Sequence, residues 1–195
     1  MKKILIALFA SFALITEAQE ISVEKSLFSV QTGLMGIWVQ HEARLSNTIA
    51  LRSEVGFDSG FGVVGSNSYY DSKTQTFGSK FVFLMAPVLT VEPRFYYNLK
   101  SRNAKLKRID NNSGNFLSLH TNFHPDWFVI SNDKDVFVRS DLSVIPTWGI
   151  RRNIGQHFNY EAGGGIGYKY LFSQKGYSAS GGVAFNIHLR IGYTF

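Results

Sequence analysis

Three side chains near the middle of the chain, Ser118, His120 and Glu92, are of the types that form a catalytic triad. A serine hydroxyl beside a histidine and a carboxylate can be activated as a nucleophile for ester hydrolysis. Ser118 and His120 are two positions apart, so they point to the same face if this segment is a β-strand. The same side chains can also hydrogen-bond to one another without catalysis, and we favour that interpretation. An esterase is the alternative.

Charged residues of opposite sign recur at alternate positions elsewhere in the chain, for example in the pairs Arg52/Glu54 and Glu92/Arg94. Alternate residues of a strand share a face, so each pair would project both charges into one space. Buried opposite charges must pair, because an unpaired buried ion is far more costly. We therefore predict an interior charge network with the following members: Glu42, Arg44, Arg52, Glu54, Glu92, Arg94, Arg139, Asp141, Glu161 and Arg190.

Other kinds of site receive little support from the sequence. The chain has no cysteine, which excludes disulfides, thiolate catalysis and cysteine-based zinc sites. His120 and His124 could share a face, but no third ligand is evident. The glycines of residues 163–167 lie within a predicted strand and lack the strand–turn–helix context of a phosphate-binding loop. We expect neither a metal nor a cofactor.

The elements that must position these residues are long amphipathic strands. Apolar and polar residues alternate with a period of two over seven segments: residues 37–45, 49–57, 81–97, 116–130, 136–150, 157–172 and 183–195. Most are longer than the usual five or six residues of a soluble strand. They are long enough for the nine to eleven residues with which a tilted strand crosses a membrane. The sequence thus predicts an all-β protein with about seven clear strands.

An eighth strand is predicted before the first of these segments. The apolar face changes parity between Gly33 and Gly36, where glycine indicates a turn or a bulge. Single-chain bacterial barrels have an even number of strands, so we place the missing strand at residues 22–32. A single bulged strand across this region is the alternative.

The last strand carries the clearest pattern, in which Leu189, Ile191, Tyr193 and Phe195 alternate with small or polar residues up to the end of the chain. A terminal residue usually frays in a soluble protein. At a membrane surface, by contrast, a terminal ring can lie in an aromatic girdle. The sequence of residues 187–195, IHLRIGYTF, resembles the last strand of Gram-negative outer-membrane β-barrels, and the resemblance implies that the barrel assembly machinery reads these four residues as its signal.

The first residues have the three parts of a secretory signal peptide. A basic start precedes an apolar run at residues 4–15, and Ala18 offers a small residue for cleavage. The run is shorter than the roughly 20 residues of a transmembrane helix. We therefore expect a signal peptide at residues 1–18 and one exported domain at residues 19–195. A soluble periplasmic or secreted β protein is the alternative.

The whole mature chain resembles the transmembrane domain of OmpA and its small relatives, including OmpX. Segments such as LSNTIALRSE and WGIRRNIG are also similar to small flavobacterial outer-membrane barrels, which have no assigned activity. The resemblance implies a closed antiparallel up-and-down transmembrane β-barrel of eight strands, whose lumen is sealed by salt bridges. The interior of an eight-stranded barrel is just wide enough to be filled by side chains.

These expectations define a function and its alternative. We expect a monomer in the outer membrane with a structural or surface-interaction role. Its partners would be outer-membrane lipids, lipopolysaccharide and, during biogenesis, the assembly machinery. The net charge of +6 suits anionic lipid head groups, and no nucleic acid is expected of an exported chain. The alternative, a lipopolysaccharide deacylase, has its histidine before its serine on a lipid-facing surface, whereas Ser118 precedes His120 here.

If Phe195 lies at the periplasmic rim, the connections alternate between the two sides of the membrane. Residues 58–79, 132–135 and 173–180 would then be outer loops. Residues 46–47, 98–114 and 153–156 would lie on the periplasmic side. The long segment 98–114 departs from the usual pattern, in which the outer loops are the longer ones.

Changing Phe195 to serine should impair assembly in the outer membrane far more than changing Thr194 to serine. The terminal ring belongs to the outward apolar face, whereas Thr194 belongs to the inward face. The amount of folded protein recovered from outer membranes measures the effect. Equal recovery of the two variants would contradict an assembly role for the terminal strand.

Overall fold

The structure is a computed structural model that describes residues 21–64, 70–71, 76–77, 80–174 and 176–195. The predicted signal peptide, residues 1–18, lies outside the described residues. Parts of the expected outer loop 58–79 and one residue of the loop 173–180 also lie outside them.

Eight long strands carry the fold. In chain order they are β1 (Ser26–Gly33), β2 (Gly36–Arg44), β3 (Ile49–Val64), β4 (Lys80–Tyr96), β5 (Asn115–His124), β6 (Asp141–Ile154), β7 (Phe158–Leu171) and β8 (Ser180–Thr194). The helix α1 (Leu99–Ala104) and a 3₁₀ turn (Asp110–Asn112) lie between β4 and β5. Two-residue strands at Tyr70–Asp71 and Thr76–Phe77 pair with each other, and Ile130–Ser131 pairs with β4.

The eight strands form a ring. Each strand pairs antiparallel with the next along the chain, and β8 pairs antiparallel with β1 through positions such as Thr194 and Ser29. The predicted all-β class, the antiparallel arrangement and the number of eight strands are confirmed. None of the described helices is long and apolar enough to cross a membrane.

The parity change near the start of the chain is a hairpin. β1 ends at Gly33, Leu34 and Met35 form the turn, and β2 begins at Gly36, which pairs with Gly33. The two strands therefore place residues of opposite parity on the same face. The eighth strand lies where the sequence predicted it, although it begins at Ser26 rather than at residue 22.

Two predicted strands have other bounds in the structure. The segment 116–130 stops being a strand at His124, because Pro125 lacks the N–H that would continue the ladder. Residues 130–131 turn back and pair with β4 instead of extending β5. The segment 136–150 becomes a strand only at Asp141, where pairing with His124 begins, and it continues to Ile154.

The two faces of the ring are the reverse of those in a soluble protein. Apolar side chains on the outward face are exposed: Ile187 is 80% and Phe185 69% accessible. Charged side chains on the inward face are buried, and Arg52 and Glu161 are fully inaccessible. Lysine, glutamate and arginine are almost never fully buried in soluble proteins unless they are paired, so the interior must supply partners.

One end of the ring, the proximal end, holds the first described residues, the C-terminal residue and the segments 45–48, 97–114 and 155–157. The other four connections leave and re-enter the ring at the opposite, distal end. The long segment 97–114 folds back at the proximal end, where Leu99 packs with Val23, Tyr96 and Phe116 in a small apolar cluster. Asn112 donates a hydrogen bond to the Glu42 carboxylate inside the ring, with N to Oε2 at 2.7 Å. The segment therefore caps the proximal end.

Gly149 allows the Phe116 ring to lie flat against β6. A Cβ atom at this position would overlap the ring, which is itself fully buried. We expect Gly149→Ala to destabilise the fold by about 1–3 kcal/mol, as overpacking does. Gly164→Ala is the control, because it lies on the outer face with room for a methyl group. Urea unfolding in detergent measures both, and equal stability of the two variants would contradict this packing.

Candidate functional site

The centre of the ring holds a layer of paired charges that we call the charged layer. Its members come from six strands: Glu42, Arg52, Glu54, Glu92, Arg94, Arg151, Glu161 and Arg190. No side chain among them is more than 6% exposed. The layer has four carboxylates and four guanidinium groups, so its formal charges cancel.

Glu161 on β7 is the centre of the layer. Both of its carboxylate oxygens accept hydrogen bonds from Arg94, at 2.7 and 2.8 Å. The Oε1 atom also accepts one from Arg52 at 2.8 Å. The strands β3, β4 and β7 are thereby joined across the ring by bonds between charged groups, which are about twice as strong as neutral ones.

The remaining carboxylates bind the arginines around this centre. Arg190 donates to Glu54 at 2.8 Å, and Arg52 lies 3.0 Å from the same carboxylate. At the proximal side Arg151 donates to Glu42 at 2.5 Å. Tyr96 also donates to Glu42 at 3.1 Å. Polar side chains of β1 complete the layer, for example Gln31, whose amide oxygen accepts from Arg52.

Seven of the ten residues predicted for the interior network belong to the charged layer, and Arg44, Arg139 and Asp141 do not. Arg44 lies at the proximal end of β2 and forms no ion pair among the described residues. Arg139 precedes β6 at the distal end, where it donates to the backbone carbonyl oxygens of Phe172 and Ser178.

The sequence reasoning missed Arg151, because the predicted strand ended at residue 150. Arg151 continues the inward parity of Asp141, Ser143 and Thr147 on β6. Following the alternation one step further would have identified it. Its place opposite Glu161 on β7 and its bond to Glu42 make it a full member of the layer.

A second polar group, the mouth cluster, crosses the interior nearer the distal end. The His124 ring lies between two carboxylates, with Nε2 3.0 Å from Asp58 and Nδ1 3.1 Å from Asp141. Lys169 donates to Asp141 at 3.3 Å, and the Trp38 indole N–H donates to Asp58 at 2.8 Å. Asp141 thus pairs here rather than in the charged layer.

The three candidate catalytic side chains come together, but not in the order of a triad. Ser118 donates directly to Glu92 Oε1 at 2.6 Å, and His120 Nδ1 lies 3.5 Å from Glu92 Oε2. The carboxylate therefore lies between the serine and the histidine, whereas activation needs the histidine in that place. Glu92 is also bound by Arg94 at 2.8 Å. This geometry fits a structural hydrogen-bond group.

A cavity of about 580 Å³, which we call the chamber, lies between the charged layer and the mouth cluster. It touches Arg190 of the layer and Asp58, His124 and Lys169 of the cluster. Its other inward-facing lining residues are mostly small or uncharged: Trp38, His120, Asn122, Ser143, Ile145, Ala184, Asn186 and His188. The volume falls within the roughly 300–1,000 Å³ of small-molecule sites.

Within the described part of the chain, no group of three or more histidine, aspartate or glutamate side chains is arranged to hold a metal ion. Comparison with known family models, with curated proteins and with solved structures gives no match for this chain. The function therefore has to be inferred from the geometry of the ring and its interior.

Changing Glu161 to glutamine should lower the free energy of unfolding by about 3–5 kcal/mol. The substitution preserves the shape of the side chain but leaves the buried Arg52 and Arg94 without their shared counter-charge. Urea titration in detergent, followed by tryptophan fluorescence, measures the loss.

Asp110→Asn is the matched control at an exposed ion pair. Arg108 donates to the Asp110 carboxylate at 2.6 Å and thereby lowers the pKa of that carboxyl. The pair stabilises the fold at neutral pH, and its contribution is lost as the pH falls through the lowered pKa. Because exposed pairs contribute little, this variant should remain close to the wild type at pH 7. A Glu161→Gln variant as stable as this control would contradict the role given to the charged layer.

Proposed function

We propose that this protein is a transmembrane β-barrel of the outer membrane, with a sealed lumen and a structural or surface-interaction role. The observation that carries the proposal is the ring of eight antiparallel strands with exposed apolar side chains outside and paired charges inside. In a soluble protein this outward apolar surface would be exposed to water, and it is too large for that exposure to be favourable. At the level of the charged layer each strand of the ring has a neighbour on both sides, and in lipid the apolar outer face is matched to its surroundings.

The dimensions of the outer face support a membrane location. On β8 the outward residues are apolar from Val183 to Phe195. At about 3.3 Å per residue and a tilt near 45°, this stretch rises about 28 Å, close to the ~25 Å apolar band of such barrels. Aromatic side chains lie at both ends of the band, with Tyr193 and Phe195 in contact at one end and Tyr170 and Phe172 at the other.

The interior supports a sealed barrel rather than a channel. The charged layer fills the ring at the level of Glu161, and the capping segment 97–114 covers the proximal end beneath it. A path for ions would have to cross both. The surfaces that can interact with partners are therefore the outer face, which contacts lipids and lipopolysaccharide, and the distal loops. We propose that it acts as a monomer, because the ring needs no second copy to satisfy its strand edges at the level of the charged layer.

The mature protein should co-fractionate with outer membranes, migrate differently on gels before and after heating, and show no steady conductance in planar bilayers. The folded ring resists unfolding in detergent, which gives the change in migration, and the charged layer blocks ions. Recovery of the protein in a soluble periplasmic fraction would contradict the membrane proposal.

A paired variant tests the seal itself. Replacing Arg94 and Glu161 together by serine removes one charge of each sign from the charged layer, so the remaining charges still balance. Ions would still have to pass the capping segment 97–114, so we expect conductance only as brief events when that segment moves aside in the folded variant. Arg139→Ser is the control, because this residue lies outside the layer. A large steady conductance in the wild type would overturn the sealed lumen.

A further inference from the structure

The wall of the ring is lower at the β1–β2 hairpin than on either side of it. β8 pairs with β1 only from Thr194 to Arg190, so residues 180–189 pair with β7 alone. On the other side, β3 pairs with β2 only as far as Asp58. Ser59 still donates its backbone N–H to Met35 of the turn, and residues 60–64 pair with β4 alone. The hairpin turn at Leu34 and Met35 forms the floor between them. We call this opening the wall gap; no strand of the described residues fills it.

The gap begins about halfway up the apolar band. Leu189, the first residue of β8 without a partner in β1, is five positions above Thr194. At about 3.3 Å per residue and a tilt near 45°, that is roughly 12 Å of a ~25 Å band. The outward residues beside the gap, Ile187, Phe185 and Val183, are all apolar and highly exposed. The gap therefore faces hydrocarbon in the distal half of the membrane, which is the outer leaflet.

The chamber opens through this gap. On β8 its lining includes inward residues such as Ala184 and Asn186, and also the outward residues Phe185 and Ile187. Successive residues of a strand point to opposite faces, so a complete wall would separate these two sets. Leu34 and Met35 of the gap floor and Phe61 of β3 line the same cavity. The space inside the ring is thus continuous with the space outside it.

The charges around the chamber are already paired. Arg190 binds Glu54, and Lys169 and His124 bind Asp141. A charged ligand group would bring a further, uncompensated charge into this interior, which is costly. An uncharged polar group meets hydrogen-bonding side chains such as Asn122 and Ser143. The apolar rim of the gap, in turn, suits a hydrocarbon chain.

We propose that the chamber binds a single-chain amphiphile with an uncharged, hydrogen-bonding head group, such as a monoacylglycerol, which enters sideways from the outer leaflet. The proposal rests on the membrane location proposed above. The head group lies among the polar residues of the chamber, and the acyl chain passes over Leu34 and Met35 into the wall gap.

Contact quenching of Trp38 tests this site. The chain has three tryptophans, and Trp38 alone lines the chamber. The test uses mature protein carrying Trp127→Phe and Trp148→Phe in phosphatidylcholine nanodiscs. A monoacylglycerol brominated on the chain carbons next to its head group should quench Trp38 emission in a saturable manner. Bromine quenches on contact, so saturation reports occupancy of the chamber.

Two variants in the same background separate the chamber from the outer surface. Ala184→Phe places a ring in the chamber and should abolish the saturable quenching. Leu119→Phe introduces the same ring on the outer face of β5 and should leave the quenching unchanged. The brominated fatty acid, ionised at pH 9, should bind about ten-fold more weakly than the monoacylglycerol. A single unpaired charge in this interior lowers the affinity by at least that factor.

Each outcome has a defined meaning. Failure of the protein to enter nanodiscs in a heat-modifiable form contradicts the membrane proposal itself. Entry without saturable quenching, or equal quenching in Ala184→Phe, overturns the chamber as the site. Equal or tighter binding of the ionised fatty acid overturns the uncharged head group.

Discussion

The mutual neutralisation of four carboxylates and four guanidinium groups inside the ring is the constraint on which the rest of the structure depends. None of these charges could remain buried without its partners, and the partners come from β2, β3, β4, β6, β7 and β8. A slip of one residue in any of these strands would turn its charged face outward and its apolar face inward. The charged layer therefore fixes the register of these strands. Their backbone hydrogen bonds alone would permit several registers.

The capping segment and the mouth cluster lie on opposite sides of the charged layer, toward the proximal and the distal end of the interior. At the proximal end, the apolar cluster around Leu99 and the bond from Asn112 to Glu42 close the space below the charged layer. Toward the distal end, the pairs of His124 with Asp58 and Asp141 hold β3, β5 and β6 at a fixed separation. Between them lies the chamber, which the small residue Ala184 lines, while Gly163 leaves room for the His188 side chain and Gly165 for Thr147. The length of the proximal connection is thus explained by its contacts.

Alternation in the sequence was sufficient to assign the inward and outward faces of every strand, because a period of two depends only on local geometry. It also placed Glu92, Arg94 and Glu161 in the interior. It could not show that Glu92 would lie between Ser118 and His120, since that depends on the register between β4 and β5. Nor could it show that Asp141 would bind His124 instead of joining the charged layer. The wall gap was equally hidden, because it arises from the unequal heights of neighbouring strands and not from the pattern within any one of them.

The pairing of β1 with β8 has a kinetic consequence. Every other neighbouring pair in the ring is consecutive in the chain, but this one brings Ser29 to Thr194, across almost all of the described chain, through only five residue pairs. Forming it carries the largest loop-closure entropy of any contact in the molecule, and contacts of high sequence separation form late. The hydrogen bond from the Glu24 amide to Asn112 holds the N-terminal segment against the capping segment. The first strand is thereby kept beside the place where the last one must arrive, which shortens the search that completes the ring.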